Sequence, residues 1–520
     1  MAMRPLLRGI AVSLLVFANV SLADDRQTGR LKCTVTDERG AAIPSRVYLI
    51  DSAGHAVLPE GMPAYKRRGA SVEEHFLASG PFDVPAVRGA YTLRIERGLE
   101  WTSHEERVSL EAGKTTELNI VLHRWLDMNS KGWFSGDTHI HRDPRDLELL
   151  LAVEDLNFGA NLPYWNDKDE FQKPGLTVPE SAMKSYSPSR AACVAGQEIE
   201  RLGNGWGAVL FMGEFKPVLS PNDTFHPLDV ALCQDVRKQG AYVDIEKPVW
   251  LTTPICTALG EVDSIGVVHN HFHPRGFLPM KLIRNCIIAP SSLDMGPRAC
   301  AVWTLDLYYH LLNCGLRIAA SAGTASGVMP APAGFERTYV KLDGPFSGDA
   351  WLKALKAGKS FGTNGPILDL KVAGKSIGDV LQLEKSESKL HVSASAISQH
   401  PLEVLEVIYN GVVVGTQRAT ADLKEIKLEQ DLNAGNGWLA IRAFGPETAT
   451  QIFAQSSPVY LEFNGDRGCV ASSGTFYRDV IDELLTRIEK DNLFPDPYQK
   501  EEARLTLNKA RDFYNSVIGR

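Results

Sequence analysis

Hydrophobic and polar positions alternate with period two in the first part of the chain. The stretches RLKCTVTDERG, RVYLIDSAG, YTLRIERG and TTELNIVLH each alternate around turn residues, as half-buried antiparallel strands do. In the last of these, Leu118, Ile120 and Leu122 fall on one face of the strand. We therefore predict a small β-sandwich over residues 24–125.

From about residue 126 the pattern changes to short apolar strands that alternate with helical stretches. DLELLLAVEDLNFGA has helical spacing, whereas CVAGQEIERL, GAVLFMG, GAYVDIEKPVW and DSIGVVHNHFH are strand-like. This alternation is typical of an α/β domain, and we predict one over residues 126–340. Near its end, AASAGTASG is rich in small residues, and we interpret it as a turn at about 319–327.

Beyond residue 340 the chain returns to strand patterns and then ends in helical ones. SGDAWLKALKAGKSF predicts a short helix that ends at Gly358, and a β-rich domain is predicted over residues 341–466. Within that domain, Asn410-Gly411 is a hairpin signal. Residues 467–520 predict C-terminal helices whose apolar stripes suit packing better than chemistry: Val480, Ile481, Leu484, Leu485 and Ile488 form one of them.

Length and composition limit the classes of protein to consider. A chain of 520 residues exceeds one ordinary hydrophobic core, so several folding units are expected. The formal net charge of -8, without a cluster of Lys and Arg, argues against a nucleic-acid partner. The eight cysteines show neither zinc-ribbon nor redox-pair spacing, which leaves two interpretations open: disulfides, or small buried hydrophobes.

The N-terminus has the features of an export signal. Arg4 and Arg8 precede an apolar stretch, and Ser21-Leu22-Ala23 suits cleavage after Ala23. The stretch is too short to span a bilayer, although an uncleaved anchor is the alternative. We predict a signal peptide over residues 1–23, a periplasmic or secreted protein, and no membrane span after cleavage.

Two histidines close the segment GWFSGDTHIHRD. Because side chains alternate along a strand, His139 and His141 point the same way, about 7 Å apart. Imidazole is a common metal ligand, and Asp137 on the same face is predicted to orient a ring nitrogen from behind. The alternative is a pair of ordinary histidines at the end of a strand.

A second group of histidines follows an apolar strand in DSIGVVHNHFHPRG. His269, His271 and His273 have period two, which predicts a shared face, with one or two of them as metal ligands. A rim of histidines that only form hydrogen bonds is the alternative. Glu198, Asp244 and Glu246 are candidate oxygen ligands, and Lys247 is a candidate charge partner for a metal; each is also a common type of surface residue.

Read together, several segments resemble the PHP (polymerase and histidinol phosphatase) metallohydrolases. They are GWFSGDTHIH, AGQEIE, the strand that ends in EKP, LLNCGLRIAASAG and KALKAGKSFGTNGPILDLKVAG. The narrower resemblance, over about residues 126–465, is to the CehA/McbA-type branch, whose namesake hydrolyses a carbamate ester. It implies a distorted (β/α)7 barrel with one to three divalent ions and a β-domain after it. Residues 24–125 resemble carboxypeptidase-regulatory-like sandwiches.

By this resemblance His139 and His141 match the first metal motif of the family, and Glu198 matches its bridging glutamate. Other positions depart from the family: Trp165 or Asn166 stands where relatives have Thr-Asp-His, Lys247-Pro248 replaces His-Pro, and Thr324-Ala325-Ser326 replaces Asp-x-His. These departures argue against a full three-metal site. We hypothesise that His269 and His271 rebuild a site for one or two ions.

The leading prediction is an exported hydrolase that acts on an ester, carbamate, amide or phosphoester bond of a small molecule. A zinc, manganese or iron ion held by His139, His141, Glu198, His269 and His271 would activate water. Lys247 or His273 would stabilise the developing oxyanion or move protons. The alternative is a catalytically degraded barrel that binds an envelope or glycan partner through its β-domains.

Overall fold

The computed structural model describes residues 27–66, 73–165, 181–201, 205–218, 224–280, 286–287, 295–420 and 423–519. The predicted signal peptide and Asn166 therefore lie outside the described residues. No helix within these ranges is long and apolar enough to cross a membrane.

The N-terminal β unit consists of two sheets. Its strands are β1 (Thr28–Thr36), β2 (Ser45–Asp51), β3 (Ala64–Tyr65), β4 (His75–Ala78), β5 (Phe82–Val87), β6 (Gly89–Glu96), β7 (His104–Leu110) and β8 (Thr115–Val121). The sheets have the orders β5-β1-β8 and β3-β4-β2-β6-β7. Alternate residues such as Leu31 of β1 and Leu93 of β6 meet in one buried core. The period-two pattern thus gives each sheet one apolar face that the other sheet covers.

The middle of the chain alternates strands and helices. Its elements are β9 (Trp133–Ile140), α1 (Leu147–Val153), β10 (Phe158–Asn161), β11 (Tyr164–Trp165), β12 (Met183–Ser187), β13 (Arg190–Cys193), β14 (Gln197–Arg201), β15 (Gly207–Met212), α2 (Asp229–Arg237), β16 (Tyr242–Ile245), α3 (Thr253–Ala258), β17 (Ser264–His269), α4 (Pro297–Asn313), β18 (Ala319–Gly323) and β19 (Arg337–Lys341). A single turn of 3-10 helix at Asn129–Lys131 precedes them.

The last part of the chain is β-rich and ends in two long helices. Its elements are α5 (Gly348–Lys356), β20 (Ser360–Thr363), β21 (Ile367–Val372), β22 (Lys375–Ser376), β23 (Val380–Gln382), β24 (Ser388–Ile397), β25 (Val404–Tyr409), β26 (Val412–Arg418), β27 (Glu425–Ala434), β28 (Gly437–Phe444), β29 (Phe453–Ser456), β30 (Val459–Glu462), α6 (Ala471–Lys490) and α7 (Pro497–Ile518). The predicted hairpin at Asn410-Gly411 is confirmed, with both residues at positive φ between β25 and β26.

The strands of the middle region belong to two open sheets. One has the order β11-β14-β15-β16-β17-β18, and the other runs β12-β13-β10-β9-β19-β20 into β29-β28-β25-β26 of the C-terminal strands. Neither sheet closes, so the described residues do not form the closed ring that a (β/α)7 barrel implies. One reason is that β15 pairs antiparallel with both β14 and β16, whereas a β/α repeat needs a helical crossover between parallel neighbours. What is confirmed is a multidomain chain of mostly β-sheets with helices.

The interpretation of AASAGTASG as a turn is wrong at its start. Ala319–Gly323 forms β18, a buried strand that pairs in parallel with β17. The small residues permit close packing: a Cβ at Gly362 of β20 would lie 2.8 Å from the carbonyl oxygen of Ser321. Small residues, which are typical of turns, here allow neighbouring strands to approach closely.

The cysteines follow the second of the two interpretations. All eight carry free thiols, and seven of them are buried. They pack as small hydrophobic residues do.

Candidate metal centre

Strand β9 carries the first two site residues into the interior. It pairs in parallel with β10 and antiparallel with β19, and most of its residues are buried. His139 lies within β9, and His141 follows its last residue, with exposures of only 3% and 1%. The backbone N–H of His141 donates to the carbonyl of Ser326, 2.8 Å away, beyond the end of β18. The site therefore lies where the ends of β9 and β18 meet.

Glu198 on β14 completes a compact group with the two histidines. The Nε2 atoms of His139 and His141 are 2.9 Å apart, and the Oε2 atom of Glu198 lies 3.2 Å from the first and 2.9 Å from the second. All three side chains are buried. Their spacing and chemistry make this a group that could hold a metal ion, as the sequence predicts for these three residues.

The donor set fits a divalent ion. Tetrahedral ligands at about 2.1 Å from zinc stand about 3.4 Å from one another, close to the separations in this group. The other ring nitrogens face oxygen atoms: Nδ1 of His141 lies 3.2 Å from the carbonyl oxygen of Leu162, and Nδ1 of His139 lies 3.8 Å from Oε1 of Glu246. The carbonyl behind His141 fixes that ring with Nε2 toward the ion, whereas Glu246 is too far from His139 for a hydrogen bond and contributes negative charge.

Charge inside this buried group shifts the pKa of two members. Burial by itself lowers the pKa of His139, but the neighbouring carboxylates of Glu198 and Glu246 outweigh it and raise that pKa to about 9. Burial works against ionisation of Glu198 too, yet the two imidazoles hold its pKa well below the usual range. Without an ion the group therefore holds a proton between imidazole and carboxylate.

Asp137 does not orient a ring nitrogen, which corrects the sequence prediction. Its carboxylate accepts the backbone N–H groups of His139 at 3.0 Å, Thr324 at 3.1 Å and Gly334 at 2.8 Å, and the hydroxyl of Thr324 at 2.5 Å. These four donors occupy both oxygens of the carboxylate, which the sequence prediction expected to accept from an imidazole. Asp137 instead fixes the main chain beside His139.

Glu246 takes the place behind the His139 ring that was expected for Asp137. Its carboxylate accepts from the Nδ2 of Asn270 at 2.9 Å and from the Nε1 of Trp250 at 3.1 Å, and it forms an ion pair with Lys247. Lys247 is itself buried. The sequence does show Glu246 on one face of its strand, but not that this face meets His139.

The predicted histidine triplet does not share a strand face. Strand β17 ends at His269, and a turn follows in which the N–H of Phe272 donates to the carbonyl of His269 at 3.1 Å. The period-two alternation stops there because the backbone is no longer extended. The rings of His269 and His271 still lie 5.2 Å apart, centroid to centroid, but the strand face predicted for all three histidines does not form.

The three histidines have other neighbours. His269 Nε2 lies 3.4 Å from the hydroxyl of Thr304, and His271 Nδ1 lies 3.0 Å from the carbonyl oxygen of Leu278. Burial lowers the pKa of both imidazoles well below the usual value, so they are neutral. Among the described residues, no hydrogen bond or ion pair joins these three histidines, of which His273 is half-buried, to the group of His139, His141 and Glu198.

Two further residues border the group. The ring of Trp165 lies 4.8 Å from that of His141, centroid to centroid, and its Nε1 donates to Oε2 of Glu200 at 2.9 Å. Burial, together with the charges of Glu198 and Glu246, raises the pKa of Glu200 to about 8. Trp165 stands where the family resemblance expects a histidine, and it supplies an aromatic wall instead of a ligand.

Comparisons with known proteins find few similarities to this chain. No family model matches the chain, and no curated protein matches it. Among solved structures, the chain is similar to GBS52, the minor pilin of Streptococcus agalactiae, with 18% identity over 19% of this chain and 46% of that one, at a TM-score of 0.16. It is also similar to a streptococcal ancillary pilin, with 14% identity over 23% of this chain and 37% of that one, at a TM-score of 0.14.

A third solved structure, the Bacillus anthracis TIE protein, shows 7% identity over 84% of this chain and 50% of that one, at a TM-score of 0.14. The chain thus spans half or less of the length of each of these proteins.

Proposed function

We propose that the protein is a metal-dependent hydrolase whose divalent ion is held by His139, His141 and Glu198. The convergence of two Nε2 atoms and one carboxylate oxygen within 3.2 Å of one another supports this proposal. We also propose a distant relation to the PHP metallohydrolases of CehA/McbA type, with the barrel opened into two sheets. A bound divalent ion would lower the pKa of a water and polarise the bond to be cleaved.

The surrounding residues prepare the centre for that chemistry. Glu246 lies 3.8 Å from Nδ1 of His139 and places negative charge on the side of the ring away from the ion. Trp165 covers one side of His141 and keeps water from it. Lys247, buried beside Glu246, supplies positive charge near the place where an oxyanion would develop.

The proposed substrate is a small molecule with an ester, carbamate, amide or phosphoester bond, and the proposed location is the periplasm or the exterior. An ion held by three side chains keeps coordination positions for water and substrate, as catalytic sites require. The charged start, apolar stretch and small residues that end at Ala23 support export.

Elemental analysis of the purified protein tests the metal site. We expect about one divalent ion per chain in the wild type and a large loss of metal in His139→Ala and Glu198→Gln, because each substitution removes one of three ligands. His269→Ala is the matched control: it removes a buried histidine outside the group and should keep its metal. A wild-type protein that stays metal-free after incubation with zinc, manganese or iron would contradict the proposal and favour a binding or scaffold role.

Turnover tests the reaction class. Chromogenic acetate, carbamate and phosphate esters, assayed with each metal, should show activity that is lost in Glu198→Gln and kept in His269→Ala. A protein that binds metal but cleaves none of these substrates would argue for a metal-stabilised scaffold instead of a hydrolase.

A further inference from the structure

We infer that the N-terminal β unit positions the metal centre through Arg142, so that tight metal binding requires this unit to be docked. The inference rests on the proposed metal site and adds a second structural unit to it. The contact set of Arg142, Glu73, Tyr65 and Ser326 is called the Arg142 clamp below. Glu73 and Tyr65 belong to the N-terminal β unit, and Ser326 follows β18.

Arg142 follows the ligand His141 directly in the chain and is 7% exposed. Its guanidinium forms an ion pair with Glu73, and its carbon lies 3.9 Å from the centre of the Tyr65 ring. Its Nε and Nη2 atoms donate to the hydroxyl of Ser326 at 3.1 Å and 3.0 Å. One side chain thus joins the N-terminal β unit to the segment after β18.

Ser326 carries the connection to the ligand. Its carbonyl accepts the N–H of His141 at 2.8 Å, and its own N–H donates to the hydroxyl of Thr324 at 3.0 Å. On the opposite side, the N–H of Arg142 donates to Oδ1 of Asn161 at 3.0 Å. A continuous path of direct contacts therefore runs from the carboxylate of Glu73 to the main chain of a metal ligand.

The path matters because the guanidinium is buried. A buried charge that loses its partner is costly, so the side chain moves toward water or draws water in. Either response would release the hydroxyl of Ser326 and loosen the end of β9. Metal ligands need placement to within about 0.5 Å, and loss of supporting contacts typically lowers metal affinity by about 10- to 100-fold. Glu73 and Arg142 are thus positioning residues.

The chain offers a control at the same boundary. Arg46 of β2 forms an ion pair with Glu154, which follows α1, and both side chains are as buried as those of the Arg142 clamp. No side-chain hydrogen bond of Glu154 reaches His139, His141 or Glu198 within the described part of the chain. Glu73→Gln and Glu154→Gln therefore each break an ion pair between the same two units, although Arg46 keeps Glu96 as a second partner. The carboxylate of Glu73 leads to a ligand through Arg142 and Ser326, whereas Glu154 is linked to His139 through its main-chain carbonyl, which Glu154→Gln leaves in place.

The experiment measures metal affinity of the full-length protein by competition with a chelator, and it records the visible spectrum of the cobalt(II) form. We expect Glu73→Gln to weaken zinc binding by about tenfold or more and to change the cobalt spectrum. Glu154→Gln should lose less thermal stability, because Arg46 retains Glu96, and should keep both metal readouts. Glu73→Asp should recover part of the affinity.

Ser326→Ala keeps the inference testable if Glu73→Gln does not fold, because it removes the acceptor of Arg142 without leaving a charge unpaired. Unchanged zinc affinity in Ser326→Ala, or equal losses in Glu73→Gln and Glu154→Gln, would overturn the positioning role. A wild-type protein that binds no metal would instead end the proposed function, and the inference with it, so the two failures are distinguishable.

Discussion

Metal binding should depend steeply on pH near neutrality. In the metal-free protein the charges of Glu198 and Glu246 overcome burial and raise the pKa of His139 to about 9. Imidazole must lose its proton to bind an ion, so each ion should release about one proton below that pKa. Affinity should then rise about tenfold per pH unit, or about 100-fold from pH 6.5 to pH 8.5, a difference of about 2.7 kcal/mol in binding free energy.

Titration calorimetry in two buffers of different ionisation enthalpy counts the released protons, and chelator competition gives the zinc affinity at each pH. His269→Ala should show the same dependence, because that imidazole is neutral and lies outside the group. Glu198→Gln should bind more weakly with a shallower dependence, since loss of the carboxylate lowers the pKa of His139. A zinc affinity that stays constant across this range, with no proton released, would refute the assignment of a protonated His139 in the metal-free protein.

Three further outcomes are expected. The metal-free protein should lose up to about 3 kcal/mol of unfolding free energy between pH 6.5 and pH 9 in urea titrations. The raised pKa of His139 stabilises the fold fully below the unfolded pKa of 6.5, and that contribution is lost as pH rises through about 9. A stability that stays constant over this range would contradict the prediction. Gly327→Ala should lower the melting temperature and weaken zinc binding, since Gly327 has φ of +107° and a Cβ there would overlap the carbonyl oxygen of His141. Gly344→Ala, in open space, is its control and should change neither quantity. Trp351→Ala should reduce the urea-derived stability by about 3–5 kcal/mol, because the ring is fully buried; a loss under 1 kcal/mol would show that the site collapses around the cavity.

Part of the candidate site could be predicted from local pattern. Period two places His139 and His141 on one side of a strand, and the structure brings their rings to 4.9 Å, centroid to centroid. The rings of His269 and His271 also lie close, 5.2 Å from centroid to centroid, but the chain turns after His269, and this pair contacts Thr304 and Leu278. A period of two in the sequence therefore predicts which two rings lie together, and not which other side chains they meet.

Other members of the site had no local signal of their role. Glu198 was assigned by family resemblance, and its strand β14 lies in a different sheet from β9. Glu246 was visible as a strand carboxylate, but its place behind His139 depends on how β16 lies against the end of β9. In the sequence, Arg142 looks like an ordinary charged residue after a histidine. Its burial results from packing against the N-terminal β unit.

The sequence by itself determined the local structure of this protein: the alternating strands of the N-terminal β unit, the Asn410-Gly411 hairpin, the helical stripes near the C-terminus and the pairing of His139 with His141. These features depend on side-chain periodicity and backbone preference over a few residues. Only the tertiary structure decided that Glu198 joins the histidines, that Glu246 instead of Asp137 stands behind a ring, and that Glu73 reaches the centre through Arg142. Those contacts join residues far apart in the chain, and their distances are set by how sheets and units pack.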